Sequence, residues 1–371
     1  MSDAKQPSPS NPNGPKRPTG QPAGRPAPRP KPSERPLADE LKEKISAYPG
    51  TTTFLDLMRK NRRDSVLLIV AMFILTVALG SAVGSLIGAY AGGSRQSIYP
   101  TLAIGAIVGL ALATGGTLFS WFGGAKTMLR MTHAREIQKH DDPELFNVVD
   151  EMRIAAGIPM PRVYIVNDSA MNAFATGRDP KHGIVAITTG LRQKLNRDEL
   201  QAVIAHEIAH IRHLDIRFAM LMATMVGLIV VISDGLLRTM WYSGGARRGR
   251  SSDSKGGGAA VVIILIIAVL LAILAPILAR IIQMSYSRQR EYLADAGAVE
   301  LTRNPKAMAS ALSRLAGDED PFVDTANRGM AHMFIVNPLK KMRESHQQFS
   351  SVFASHPPIK DRIARMLALL R

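Results

Sequence analysis

Apolar positions dominate four stretches of this chain, and the rest alternates or is frankly polar. Val66 to Tyr90 and Ile98 to Ala125 carry no charge, and each is long enough to cross a bilayer as a helix. A short link containing Gly92, Gly93 and Arg95 joins them, so the pattern predicts a helical hairpin over 65–125. Phe218 to Leu237 is a poorer span because it holds Asp234, and Ala259 to Met284 is uncharged apart from Arg280 and contains Pro276, a kink-prone position. They predict a second hydrophobic hairpin over 218–284. Its connector, 243–258, runs through Arg247-Arg248-Gly249-Arg250 to Gly256-Gly257-Gly258, a basic and flexible composition.

Between the hairpins the pattern is that of a mixed soluble fold. Pro143 to Ala156 reads as a helix. Arg162 to Val166 and Gly183 to Thr188 are β-branched runs bounded by turn residues, hence strands. Asn172 to Gly177 is a third short strand between them. A helix then starts after Asn196, a capping residue with Glu199 three places on. Its apolar stripe is Leu200, Val203, Ile204, Ile208 and Ile211. Beyond 285 the pattern is again helical and soluble, including Pro305–Leu315 and Ile359–Leu370.

Residues 1–64 form a basic Pro-rich region. Up to about residue 36 it is built from Pro, Lys, Arg, Gly, Ser and Gln, a composition that cannot bury a core and predicts disorder. The first apolar run begins too late for a secretory signal.

Composition changes this picture in two ways. The chain has 371 residues and no cysteine, so any zinc must be held by His and carboxylate. The net charge is +16, but no nucleic-acid-binding pattern accompanies it, and an anionic membrane surface is the simpler partner. Lys and Arg number four before the first span (Arg59, Lys60, Arg62, Arg63), one in its hairpin loop (Arg95) and four after the second span (Lys126, Arg130, Arg135, Lys139). Both ends of that hairpin are therefore expected in the cytoplasm. The basic connector of the second hairpin runs against the same rule if that pair fully crosses.

The chemistry is concentrated in His206-Glu207-Ile208-Ala209-His210. Residues four apart stack on one helical face, so both imidazoles reach one ion, and the intervening Glu can act on a water bound to it. At 100° per residue this pair lies off the apolar stripe, free to face a cleft. A third ligand is needed. The arrangement with a Gly seven and a His ten residues after the first His fails, since His213 and Ile216 stand there. A carboxylate from a downstream helix remains, and the candidate is Glu291, with Asp295 one turn later to hold a ligand imidazole.

Together HEIAH, the later Ser287-Arg288-Gln289-Arg290-Glu291-Tyr292-Leu293-Ala294-Asp295, the upstream Asn172-Ala173-Phe174-Ala175-Thr176-Gly177 and the late Ser355-His356-Pro357-Pro358 resemble the HtpX family of membrane zinc proteases, relatives of the CAAX prenyl proteases. The likeness runs from about residue 54 to the C-terminus and includes Met330 to Leu339. It implies an α+β membrane protein with a zincin-like, mostly helical catalytic domain and a small β-sheet, divided as 126–217 and 285–371. It implies one Zn2+ per chain on His206, His210 and Glu291, with Glu207 as general base. Asn172 and Ala173 would receive an extended substrate by strand addition, and His356 would stabilise the oxyanion. Asp295, Asp215 and Arg362 would support the ligands.

The expected activity is zinc-dependent endopeptidase cleavage of cytoplasmic segments of misfolded membrane proteins, in quality control. The expected location is the cell membrane, multi-pass, with the N-terminus and catalytic domain cytoplasmic. The alternatives are a zinc hydrolase acting on prenylated or non-peptide substrates, and an inactive membrane adaptor working through the Pro-rich tail. For single residues the plainer readings are a helix-start histidine at His356, a turn residue at Asn172 and a solvated histidine at His213. Because His206 and Glu291 flank the second apolar pair and must meet at one ion, that pair crosses the membrane twice or not at all.

Overall fold

The computed structural model describes residues 54–91, 95–244, 258–318, 334–335 and 357–369. The Pro-rich region as far as residue 53, most of the basic connector, His332 and His356 lie outside the described residues.

Helix α1 (Phe54–Ala91) and helix α2 (Arg95–Met131) form the first apolar pair. Each continues past the uncharged run, α1 through Arg59–Arg63 and α2 through Lys126 and Arg130. Glycines bring the two backbones together: a Cβ at Gly84 would overlap the Thr101 carbonyl, and one at Gly105 the Gly80 carbonyl. Small residues at four-residue spacing are what let apolar helices approach this closely without a hydrophobic driving force between them.

The second pair is α6 (Asp215–Gly244) and α7 (Gly258–Thr302). Four helices of the described residues are long and apolar enough to cross a membrane. They share a core of Met72, Leu79, Ala113, Met222, Met225 and Ile229 against the alanines Ala268, Ala272, Ala275 and Ala279 of α7. Ile263, Ile266, Leu270, Ile273 and Ile277 on the same helix are exposed; a bilayer would cover an apolar face of that size. At 1.5 Å per residue the 45 residues of α7 extend about 68 Å, more than twice a hydrocarbon core of about 30 Å. The helix is long enough to cross and still reach the sheet-containing domain. The apolar run ends at Met284, but the helix runs on through Arg288-Gln289-Arg290-Glu291 to Thr302, since all four are good helix formers.

The water-side domain is built on a sheet of β1 (Arg135–Glu136), β2 (Arg162–Val166), β4 (Ile184–Thr188) and β3 (Ala173–Thr176), in that spatial order. β2 and β4 are parallel, and β1 and β3 join antiparallel at the two edges. Alternation sends Val185 and Ile187 to one core and Ile184 and Ala186 to the other. Helices α3 (Pro143–Ala156), α4 (Thr189–Lys194), α5 (Arg197–Arg212), α8 (Pro305–Ala316) and α9 (Ile359–Ala368) complete the domain. α5 lies under the sheet, with α7 along its other side.

Candidate metal centre

α5 begins with a complete capping box: the Asn196 side chain accepts from the Glu199 N–H, and the Glu199 carboxylate accepts from the Asn196 N–H. The remaining Glu199 oxygen accepts from Ser310 and from Arg314 of α8, at 2.6 and 2.8 Å. The stripe Leu200, Val203, Ile204, Ile208 and Ile211 is fully buried in the domain core. That packing sets the rotation of the helix. It turns His206 and His210 toward α7, which approaches closely because Gly297 faces Ala209; a Cβ on Gly297 would come within 2.9 Å of the alanine methyl.

From α7, Glu291 and Asp295 point back at the histidines. The three donor groups His206, His210 and Glu291 converge. The two Nε2 atoms are 3.2 Å apart. Glu291 Oε2 is 3.7 Å from His206 Nε2, and Oε1 is 3.6 Å from His210 Nε2. Donors bonded to one tetrahedral zinc at roughly 2.0–2.2 Å sit about 3.3–3.6 Å from each other. The set present therefore fits the ion in spacing as well as in chemistry, and its three donors leave one tetrahedral position unassigned.

Both imidazoles are oriented from behind. His206 Nδ1 lies 3.0 Å from Asp295 Oδ1, and His210 Nδ1 lies 3.0 Å from Asp215 Oδ2. A carboxylate on Nδ1 keeps the proton there and leaves Nε2 its lone pair for a metal. The carboxylates are held in turn. Arg362, itself fully buried, donates to both oxygens of Asp295 at 2.8 and 2.7 Å and to the Ile335 carbonyl at 3.0 Å. The same guanidinium reaches Glu291 Oε2 at 3.2 Å.

Burial and neighbouring charges compete in setting the site's protonation. Burial depresses His206, with Asp295 opposing. It would depress His210 too, but Asp215 and Glu291 outweigh it and lift that imidazole to about 10. Burial pushes the Glu207 carboxyl up to about 8, with the His210 charge and the Ala175 N–H pulling the other way.

The sequence-predicted residues fall in three places. His206, Glu207, His210, Glu291, Asp295, Asp215 and Arg362 are brought together, all buried or nearly so. Asn172 and Ala173 lie at the β3 edge of the sheet, but their hydrogen bonds are committed. Asn172 exchanges bonds with Thr188 of β4 on both its N–H and its carbonyl, and its side chain accepts from the Ala173 N–H. The Ala173 carbonyl accepts from the Ile335 N–H at 3.0 Å, and Phe334 bridges Phe174. The outward-facing edge continues at Ala175, whose N–H reaches Glu207. His356 lies outside the described residues. His213 caps the end of α5, half-buried beside Gly297. Asp234 forms an i,i+4 pair with Arg238 at 2.8 Å on an exposed face of α6.

Sequence reasoning missed Arg290, which pairs with Asp215, and the pairing of Phe334-Ile335 with β3. Arg290 stands beside Glu291 in the quoted motif, but nothing in a linear pattern marks a partner 75 positions upstream.

The family model described as Peptidase family M48 matches residues 139–370. The chain is 39% identical over 307 residues to the Protease HtpX homolog of Streptococcus uberis, covering 83% of this chain and 97% of that protein. It is 38% identical over 314 residues to the Protease HtpX homolog of Dictyoglomus thermophilum, covering 85% of this chain and 94% of that protein. Among solved structures it is similar to the crystal structure of S. mikatae Ste24p, at 20% identity and a TM-score of 0.40, over 72% of this chain and 64% of that one.

Proposed function

This chain belongs to peptidase family M48, among the HtpX-type membrane metalloproteases, and from that premise we propose that it is a zinc endopeptidase cutting cytoplasmic segments of misfolded membrane proteins. It is a multi-pass membrane protein. One zinc per chain is held by His206, His210 and Glu291. The observation that carries the reading is the convergence of these three donors at 3.2 to 3.7 Å, with the buried Glu207 on the same helix.

When bound, zinc supplies a Lewis acid that polarises the scissile carbonyl and makes a water nucleophilic at neutral pH. Glu207 takes the proton of the attacking water and passes it to the leaving amine. An extended substrate adds along the outer edge of β3 at the Asn172–Ala173 end by displacing the Phe334-Ile335 pairing that occupies it, and runs past Ala175, beside Glu207. His356, three residues before α9, donates to the oxyanion. Asp215, Asp295 and Arg362 keep the ligands aimed. The N-terminus and catalytic domain face the cytoplasm, where a site tethered to the bilayer meets membrane-bound chains at high effective concentration.

The test is purified protein, metal-stripped and reloaded, acting on an unfolded membrane-protein substrate and on a prenylated peptide. Glu207→Gln should keep zinc and lose about 10²- to 10⁴-fold in kcat. His206→Ala should lose the metal itself. Full cleavage by Glu207→Gln, or failure of the wild type to bind zinc, would sink the reading. Cleavage of the prenylated peptide alone would move the enzyme to the other hydrolase class.

A further inference from the structure

Each ligand histidine is backed by a carboxylate, and each of those carboxylates by a buried arginine. His206 has Asp295 and then Arg362. His210 has Asp215 and then Arg290, whose Nη1 is 2.5 Å from Asp215 Oδ1. The two arginines differ in what anchors them. Arg362 is held inside the water-side domain, by the Ile335 carbonyl. Arg290 is held by the first hairpin: its Nη2 donates to Ser65 Oγ of α1 at 2.7 Å. Its guanidinium also stacks over the Phe218 ring of α6, at 4.5 Å.

We propose that Arg290 is a positioning residue through which the first membrane hairpin holds His210 in its metal-binding orientation, so that metal affinity depends on the docking of α1. The relay runs Ser65, Arg290, Asp215, His210. Its outer members are all largely buried, Ser65 at 8%, Arg290 at 7% and Asp215 at 3% exposure. A buried ion pair has one useful geometry and tolerates the loss of a partner badly. Arg290 is also the chain neighbour of Glu291. One turn of α7 thus carries both a ligand and the group that orients another ligand's support. If α1 shifts, the Ser65 bond breaks, Arg290 gains rotamer freedom, and Asp215 loses its fixed placement behind His210. Two arginine-backed carboxylates then report separately, one on the folding of the catalytic domain and one on the seating of the hairpin. This inference rests on the zinc reading given above.

The experiment measures zinc affinity by chelator competition on the full-length, metal-stripped protein in lipid nanodiscs. It uses wild type, Arg290→Met, Arg290→Lys and Ser65→Ala. Ser310→Ala serves as a control that loosens α5 against α8 away from the metal. Loss of an outer-sphere partner typically costs about 10- to 100-fold in metal affinity, so Arg290→Met should fall in that range. Ser65→Ala should weaken zinc by about threefold or more, consistent with a smaller share of the same outer-sphere effect. Arg290→Lys should recover part of the loss, and Ser310→Ala should bind zinc like wild type while melting earlier. A purely structural Arg290 would lower the melting temperature of the metal-free protein and leave zinc affinity untouched. That result, or wild-type affinity in both Arg290→Met and Ser65→Ala, overturns the proposal. Should Arg290→Met fail to fold, Ser65→Ala and Arg290→Lys decide alone. A wild type that binds no zinc overturns the zinc reading first, and is recognised as such before any variant is compared.

Discussion

Arg362 and Glu207 show how differently two buried charged residues are treated within one site. Arg362 is fully buried, yet it is satisfied by both oxygens of Asp295, by Glu291 and by a backbone carbonyl. Its proton is held more tightly than usual, because those carboxylates outweigh the burial that opposes its charge. Replacing it by Met leaves two buried carboxylates facing each other. Breaking a buried network from one side costs about 3–5 kcal/mol, so Arg362→Met should melt far below wild type by circular dichroism and bind zinc weakly. A variant as stable as wild type would show that Asp295 and Glu291 do not need the cation. Glu207, by contrast, has few partners and is pushed toward its neutral form. Function accepts there a poorly stabilised carboxyl that folding alone would avoid.

At the scale of elements, α5 depends on its cap and on its contact with α8. Burial would raise the Glu199 carboxyl, but hydrogen bonds from Ser310, the Asn196 N–H and Arg314 outweigh it and hold the group below its usual range. The folded value lies under the unfolded one, so this contribution is present above the unfolded value, about 4.3, and disappears as pH falls through the folded value. Glu199→Gln keeps the side-chain shape and removes the charge. It should cost about 1.5–3 kcal/mol at pH 7, and the gap to wild type in urea melts should narrow as the pH falls below the unfolded value of about 4.3. A gap unchanged down to pH 3 would mean that the charge is not what holds α5. In the hairpin, Gly84→Leu places a side chain against the Thr101 carbonyl. Overpacking of this kind costs about 1–3 kcal/mol or more, and should appear as a lower melting temperature of the detergent-solubilised chain. Gly115, with nothing near its absent Cβ, should accept Ala at no cost.

At the scale of the whole molecule, α7 settles how a membrane pair and a metal site are combined. It is long and apolar enough to cross a membrane, and it carries Glu291 and Asp295 to α5 in one continuous helix. The ligands therefore sit on one side of the membrane, as the flanking positions of His206 and Glu291 require. The charge distribution around the first hairpin favours the cytoplasmic side, a proposal that the absence of cysteine makes easy to test. A single Cys at Ser94, in the link of the first hairpin, should react with an impermeant maleimide added outside intact cells. A single Cys at Ala155, exposed on α3, should react only after permeabilisation. The reverse pattern would place the catalytic domain outside.

Much was legible in the chain itself. Four long apolar runs stand out because burying so many consecutive apolar residues in water-soluble form is difficult. The capping box at Asn196 and Glu199 is a local arrangement, fully specified by residues three apart. The pair His206 and His210 is legible for the same reason, since helical geometry alone puts both on one face. What tertiary structure decided was every relation between distant segments: the arginine behind each carboxylate, the unbroken run of α7, and the Ile335 N–H taking the Ala173 carbonyl. These depend on which helix packs against which, and on side chains 67 or more positions apart in the arginine pairs. A hydrophobic pattern encodes which faces are buried. It does not encode which of several buried faces will meet, and the polar contacts of this site form only once they have.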